Sequence, residues 1–107
     1  MTPSIAQIQV AHDDRDALQA MIDTLLAERL IACGQIVGPV SSTYEWQGHV
    51  ERAQPEWLAF LKTTTAVADD LIRRIEELHA YEVPEILLVE VAGGHGPYLE
   101  WVAAQTS

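Results

Sequence analysis

An α+β fold follows from three features of the sequence: stretches with a two-residue apolar period, stretches with a helical one, and a run from Ala32 to Thr63 too long for one strand. In that run Val40, Ser42, Tyr44 and Trp46 fall on one face and Ser41, Thr43 and Glu45 on the other, as in a pleated strand. Gln47-Gly48 then offers a turn. Trp57-Leu58-Ala59-Phe60-Leu61 returns apolar at every position, the pattern of a strand covered on both faces. The expected product is one long, bent β-hairpin that outreaches its own domain.

The remaining elements follow in order. Ala6, Ile8 and Val10 alternate with Gln7 and Gln9, giving a first strand with one buried and one polar-lined face. Asp13 or Asp14 can cap the next helix, in which Leu18, Met21, Ile22, Leu25, Leu26 and Leu30 repeat at helical spacing over residues 14–30. Within the hairpin, Glu51-Arg52-Ala53-Gln54-Pro55 is polar and ends in a residue with no N–H for a ladder, so a bulge or break is expected there. Thr63-Thr64-Thr65 brings hydroxyls for an N-cap to a second helix striped by Val67, Leu71, Ile75 and Leu78. On its solvated side Asp69 with Arg73 and Asp70 with Arg74 stand four apart, each pair worth about 0.3–0.5 kcal/mol. His79 closes this helix, because Val83 before Pro84 is pushed out of the α region. Residues 85–92 form the last strand, Gly93-Gly94-His95-Gly96 turns the chain, and Pro97 opens a short helix over residues 98–104.

Strand, helix, strand, strand, helix, strand, plus a C-terminal helix, is the ferredoxin-like βαββαβ order: one antiparallel sheet with helices on one face, in a single domain over residues 1–107. A hairpin longer than its partner strands leaves edges unpaired, which predicts a homo-oligomer joined by strand pairing.

Composition narrows the function. Six Lys plus Arg stand against sixteen Asp plus Glu, a formal charge of -10 that repels phosphate backbones and argues against nucleic acid; cations are the compatible ligands. Cys33 is the only cysteine, so no internal disulfide can form and a reducing compartment is the simpler setting. Residues 1–11 show no basic n-region, and no run approaches the ~20 apolar residues of a membrane span. A cytoplasmic protein without membrane insertion is the expectation. Phosphate chemistry on this topology needs an arginine-bearing loop after the first strand, whereas Ala11-His12-Asp13-Asp14-Arg15 surrounds its one Arg with acid. No Ser/His/Asp or Cys/His arrangement is evident, so no catalytic residue is assigned.

Several blocks in succession resemble a known family. They are Arg29-Leu30-Ile31-Ala32-Cys33, Ser42-x-Tyr44-x-Trp46-x-Gly48, the stretch from Glu56 through Lys62-Thr63, His79-x-Tyr81-x-x-Pro84-Glu85-Ile86 and Tyr98-Leu99-x-Trp101. Together they look like the signatures of the CutA divalent-cation tolerance proteins over residues 25–102. The resemblance implies a ferredoxin-like homotrimer, similar to the PII signalling proteins, whose long hairpins pair between subunits. It also implies a link to copper and other divalent ions, and carries no enzymatic reaction. Ala80 stands where the family commonly has Pro, and Gly34-Gln35 where it has Val-Asn.

Two sets of candidate residues result. His79, Cys33 and Glu85 are the metal candidates, since imidazole and thiolate suit copper and a carboxylate adds oxygen ligation. Against this, a single His at a helix end also hydrogen-bonds terminal carbonyls, and a buried free Cys also behaves as a small hydrophobe. Tyr44, Trp46, Lys62 and Tyr81 are the candidates for a ligand cleft between subunits, the ligand being a small molecule as in a PII-like sensor. The aromatics serve equally as core or interface anchors. Lys62 follows an apolar run and needs a partner, either Glu85 or a carboxylate of a neighbouring subunit.

Overall fold

The computed structural model describes residues 2–107, so Met1 lies outside the described residues. Its elements are β1 (Ile5–His12), α1 (Arg15–Ala27), β2 (Cys33–Trp46), β3 (His49–Thr64), α2 (Thr65–Leu78), β4 (Ile86–Val91) and α3 (Gly96–Gln105). The described strands form one antiparallel sheet in the order β2-β3-β1-β4, the ferredoxin-like arrangement expected from the sequence.

Asp14 caps α1, its Oδ1 accepting the Ala17 N–H at 3.0 Å. The helix ends three residues before the apolar stripe does. The Leu30 N–H bonds the Leu25 carbonyl and the Arg29 N–H that of Leu26, with Arg29 at φ 60, a helix-ending turn that glycine commonly fills. Arg29 has a reason to be there: its Nη2 donates to the Ala104 carbonyl at 3.2 Å, tying the end of α1 to α3. Leu18, Met21, Ile22 and Leu25 are buried, whereas Leu26 points to solvent at 42% exposure.

At α2 the capping residue is Thr64, yet its hydroxyl makes no cap bond. The buried hydroxyl is Thr63, whose Oγ1 donates to the Leu30 carbonyl at 2.8 Å. The surface charges also pair differently from expectation. Arg73 meets Asp70 three residues away, and Arg74 grips Glu28 through Nε and Nη2 at 2.9 and 2.8 Å while Nη1 meets Glu77 at 3.1 Å. A two-pronged guanidinium–carboxylate contact is the stronger geometry, and it joins α2 to the end of α1 rather than decorating one helix.

The core lies between α1 and α2 and one face of the sheet. Ala6, Ile8, Val10, Ala59 and Leu61 from the strands meet Leu18, Leu25, Leu71 and Ile75 from the helices. Burying each large aliphatic contributes about 1.5–3 kcal/mol. On the opposite face Gln7 lies between Lys62 and Val89 and Gln9 between Phe60 and Leu87, with Leu58 opposite Ala11 on the same face. Leu87 and Val89 are exposed and Leu58 and Phe60 only half-buried. The expectation that Trp57–Leu61 is covered on both faces therefore fails within one chain. Nor do all helices share a face: α3 seats Leu99 and Val102 on Ile5, Ala32 and Val91, at one end of this second face.

β1 reaches only from Ile5, opposite Thr64, to His12, opposite Trp57. Beyond Trp57 the hairpin continues as a two-stranded arm to its Gln47-Gly48 turn, giving the molecule extents of 48 × 26 × 22 Å. β3 runs on through residues 51–55 without a break, but the expected bulge is there: from Val40 to Ser42 the partners step from Glu56 to Ala53, an extra residue on β3. A second register shift between Val37 and Val40 puts an extra residue on β2, and the two shifts bend the hairpin. Gly38 sits in that bend at φ 152, and a Cβ there would strike the Trp57 indole. No described helix is long and apolar enough to cross a membrane.

Candidate functional site: a histidine stack beside an aromatic, acidic cleft

The even-numbered residues of β1 face the helices, and His12 continues that set after Ala6, Ile8 and Val10. A titratable ring is thereby carried into the interior, where it is 3% exposed. His79, just past the end of α2, is brought against it at 8% exposure. The two imidazoles stack with centroids 4.4 Å apart and planes 21° apart, and Tyr81 closes the group at 4.6 Å from His79 and 5.3 Å from His12.

Hydrogen bonds assign the protons. The Tyr81 backbone N–H points at His79 Nδ1 (3.1 Å), so Nδ1 is the acceptor. His79 Nε2 then carries the hydrogen and donates to the Ala11 carbonyl at 2.8 Å. The Asp14 N–H makes the matching bond to His12 Nδ1 at 3.0 Å. Burial lowers the His79 pKa below its ordinary value of 6.5, and the neighbouring His12 adds to this, against opposing contributions from the Ala11 carbonyl, Asp13 and Glu56. His79 is a neutral ring with both nitrogens spoken for.

Tyr81 also reaches β3. Its hydroxyl donates to Glu56 Oε2 at 3.0 Å, and Glu56 is only 5% exposed. Burial, reinforced by the Glu56 carboxyl, holds the Tyr81 phenol far above its ordinary pKa of 10.0, so it stays a donor. Beside this pair opens a cleft of about 620 Å³ between the base of the arm and the 81–85 loop. Tyr44, Trp46 and Tyr81 are its aromatic walls, and Glu56, Glu82 and Glu85 its acidic groups.

The sequence-derived cleft residues Tyr44, Trp46 and Tyr81 lie together here; Lys62 does not. Lys62 pairs with Cys33 and Gln7 in the sheet, six residues along β3 from Glu56, about 20 Å in an extended strand. Among the described residues its partner is neither Glu85 nor any other carboxylate: Nζ donates to Gln35 Oε1 at 2.7 Å and stands 5.9 Å from the Phe60 ring centre, while Glu85 accepts from Gln9 Nε2. Cys33 stands directly opposite on β2, and Gln35, two residues further along that strand, supplies a neutral amide.

The metal candidates are likewise separated. Cys33 is half-buried near Tyr98, whose phenol pKa is raised by burial and by the thiol beside it. His79 bonds to Ala11, four residues along β1 from the Gln7 row that holds Cys33, about 13 Å away before the width of the intervening strands is added. Among the described residues no three His, Cys, Asp or Glu side chains converge on a point that could hold an ion. His79, Cys33 and Glu85 therefore do not fit a metal centre within one chain. His79 is tied to a carbonyl, but that carbonyl belongs to β1, not to its own helix.

Glu56 and His12 were absent from both sequence-derived sets. His12 was legible as the next even position of β1, and Glu56 as the acid at the mouth of an apolar run.

Comparison with known proteins agrees with the blocks noted in the sequence. The profile of the CutA1 divalent ion tolerance protein family matches residues 6–105. The Divalent-cation tolerance protein CutA of Thermus thermophilus is 40% identical over 91 residues, covering 85% of this chain and 87% of that protein. Protein CutA, chloroplastic, of Arabidopsis thaliana is 34% identical over 104 residues, 97% of this chain, which spans only 56% of the plant protein's length. Among solved structures, CutA1 from Oryza sativa superposes with a TM-score of 0.93 at 30% identity, covering 99% of this chain and 96% of the other; the Thermus protein gives 0.91 at 34%, covering 96% and 99%. The chain belongs to the CutA1 divalent ion tolerance family, named for tolerance and not for a catalysed reaction.

Proposed function

We propose that this chain acts in divalent-cation tolerance as a cytoplasmic homotrimer that binds its ligand without transforming it. The role comes from the family, and the assembly is supported by one observation: the sheet face carrying Leu58, Phe60, Leu87 and Val89 has no cover beyond α3 at its end. Apolar strands left open in this way are completed by another chain. Copper is the ion carried over from the resemblance. A copper site would draw ligands from more than one subunit, since within one chain His79 has no free nitrogen. Light scattering and copper calorimetry on the purified protein test this reading. A trimer is expected, dissociating on Phe60→Glu. A monomer at tens of micromolar, or a trimer indifferent to that change, would sink the assembly; absence of copper binding by the intact trimer would remove the ion.

A second reading, a PII-like sensor of a small ligand, is favoured by the cleft. Its volume, aromatic walls and few polar groups are those of a small-molecule site. Melting the protein with nucleotides, carboxylates and amines checks it, because a ligand in excess over its Kd stabilises the fold.

A further inference from the structure

We infer that the cleft between the arm and the 81–85 loop binds an organic cation, a small molecule carrying an alkylammonium or guanidinium group. This rests on the ligand-sensing reading above and names the chemistry of its ligand.

The central observation is Glu56. Its side chain is 5% exposed, one oxygen accepts from Tyr81, and no other donor among the described residues reaches it. Among the described residues no buried polar side-chain atom is left without a partner, so the second oxygen keeps the residue's remaining accessibility, on the cleft that Glu56 lines. A nearly buried carboxylate with one donor is under-compensated, and a cation entering the cleft supplies what is missing. Tyr81 fixes the direction of that oxygen, since its own hydroxyl is committed to the other.

The walls point the same way. Tyr44 and Trp46 are aromatic walls of the cleft, and aromatic faces attract cations that are partly desolvated. Glu82 and Glu85 add negative charge, and among the described residues of one chain no Lys or Arg lines the cleft. With a net charge of -10 on the chain, this environment rejects phosphates and carboxylates.

An organic cation also suits the cleft better than a bare metal ion. Calcium-like ions take about six to eight oxygens at one point. Here no three potential ligands converge among the described residues. A space of about 620 Å³ accommodates a molecule with an apolar stem, its charged head at Glu56 and its stem against Trp46 and Tyr44.

Calorimetric titration of the intact protein with agmatine, adenosine monophosphate and copper(II) tests the inference. Agmatine should give saturable binding at sub-millimolar concentration, weakened about tenfold or more by Glu56→Gln and several-fold by Trp46→Leu. The second change lies outside the Tyr81–Glu56 contact and keeps the test decisive should the first disturb folding. Lack of saturable agmatine binding, or binding indifferent to Trp46→Leu, overturns the inference. If adenosine monophosphate binds instead and Trp46→Leu abolishes it, the cation assignment falls and the sensing cleft stands. Silence of both organic probes overturns both, and copper binding lost on Glu56→Gln with agmatine silent replaces the organic cation by a metal.

Discussion

The imidazoles of His12 and His79 stack 4.4 Å apart in a pocket that leaves each less than a tenth exposed. Two rings so placed cannot both be charged without mutual repulsion in a poorly solvating site. His79 is held below its ordinary pKa, first by burial and further by His12.

Stability should therefore fall in mild acid. The unfolded chain takes a proton on His79 near its ordinary value of 6.5, whereas the folded chain resists until a lower pH. Between the two values the unfolded state holds more protons, so stability is lost as pH drops below about 6.5 and levels off below the folded value. Denaturant midpoints measured from pH 8 to 5 at fixed protein concentration should show this slope, and His79→Gln should flatten it. Glu28 acts lower down: the Arg74 contact depresses its pKa from 4.5, so its contribution is present above 4.5 and disappears as pH falls through the depressed value.

Tyr81→Phe removes the only side-chain donor to the Glu56 carboxylate among the described residues. The expected cost is about 1–3 kcal/mol, the range for stranding a nearly buried polar group. Because Glu56→Gln also alters that contact, the double variant should lose less than the sum of the two single changes, by about 0.5–3 kcal/mol. Strict additivity in denaturant unfolding would mean that the two side chains are not coupled.

Gly38→Ala should destabilise by about 1–3 kcal/mol, since alanine pays for a positive φ and its methyl meets the Trp57 indole. Trp57 fluorescence should shift with it. An unchanged spectrum and midpoint would show that the bend tolerates a side chain.

Leu99→Ala should cost about 2–5 kcal/mol by opening a cavity under α3. Leu26→Ala, on a side chain 42% exposed, should stay within about 0.5 kcal/mol. Comparable losses from the two would mean that α3 is not anchored by Leu99.

Periodicity located what it physically encodes, which is the face of an element. It assigned Ile8 and Val10 to the core and put Tyr44 and Trp46 on one side of the arm, and those residues are where such a pattern must put them. It carries no distance along the sheet. Lys62 shares the hairpin with Tyr44 yet sits at its far end, opposite Cys33 and beside Gln35, because the register runs from the Gln47-Gly48 turn. The helical stripe overran α1 for a related reason: Leu30 is apolar, but the turn at Arg29, made useful by its bond to Ala104, takes it out of the helix. The His12–His79 contact joins residues 67 positions apart and is visible only once α2 is laid across β1.

The arm has one more consequence. Past Trp57 each of its strands has a single hydrogen-bonding neighbour, and an isolated two-stranded ribbon is marginal in water. In the trimer proposed above, its order is supplied by other copies, so folding of this segment becomes subject to mass action. Diluting the protein should then melt the arm before the helices, and the melting temperature should climb with concentration.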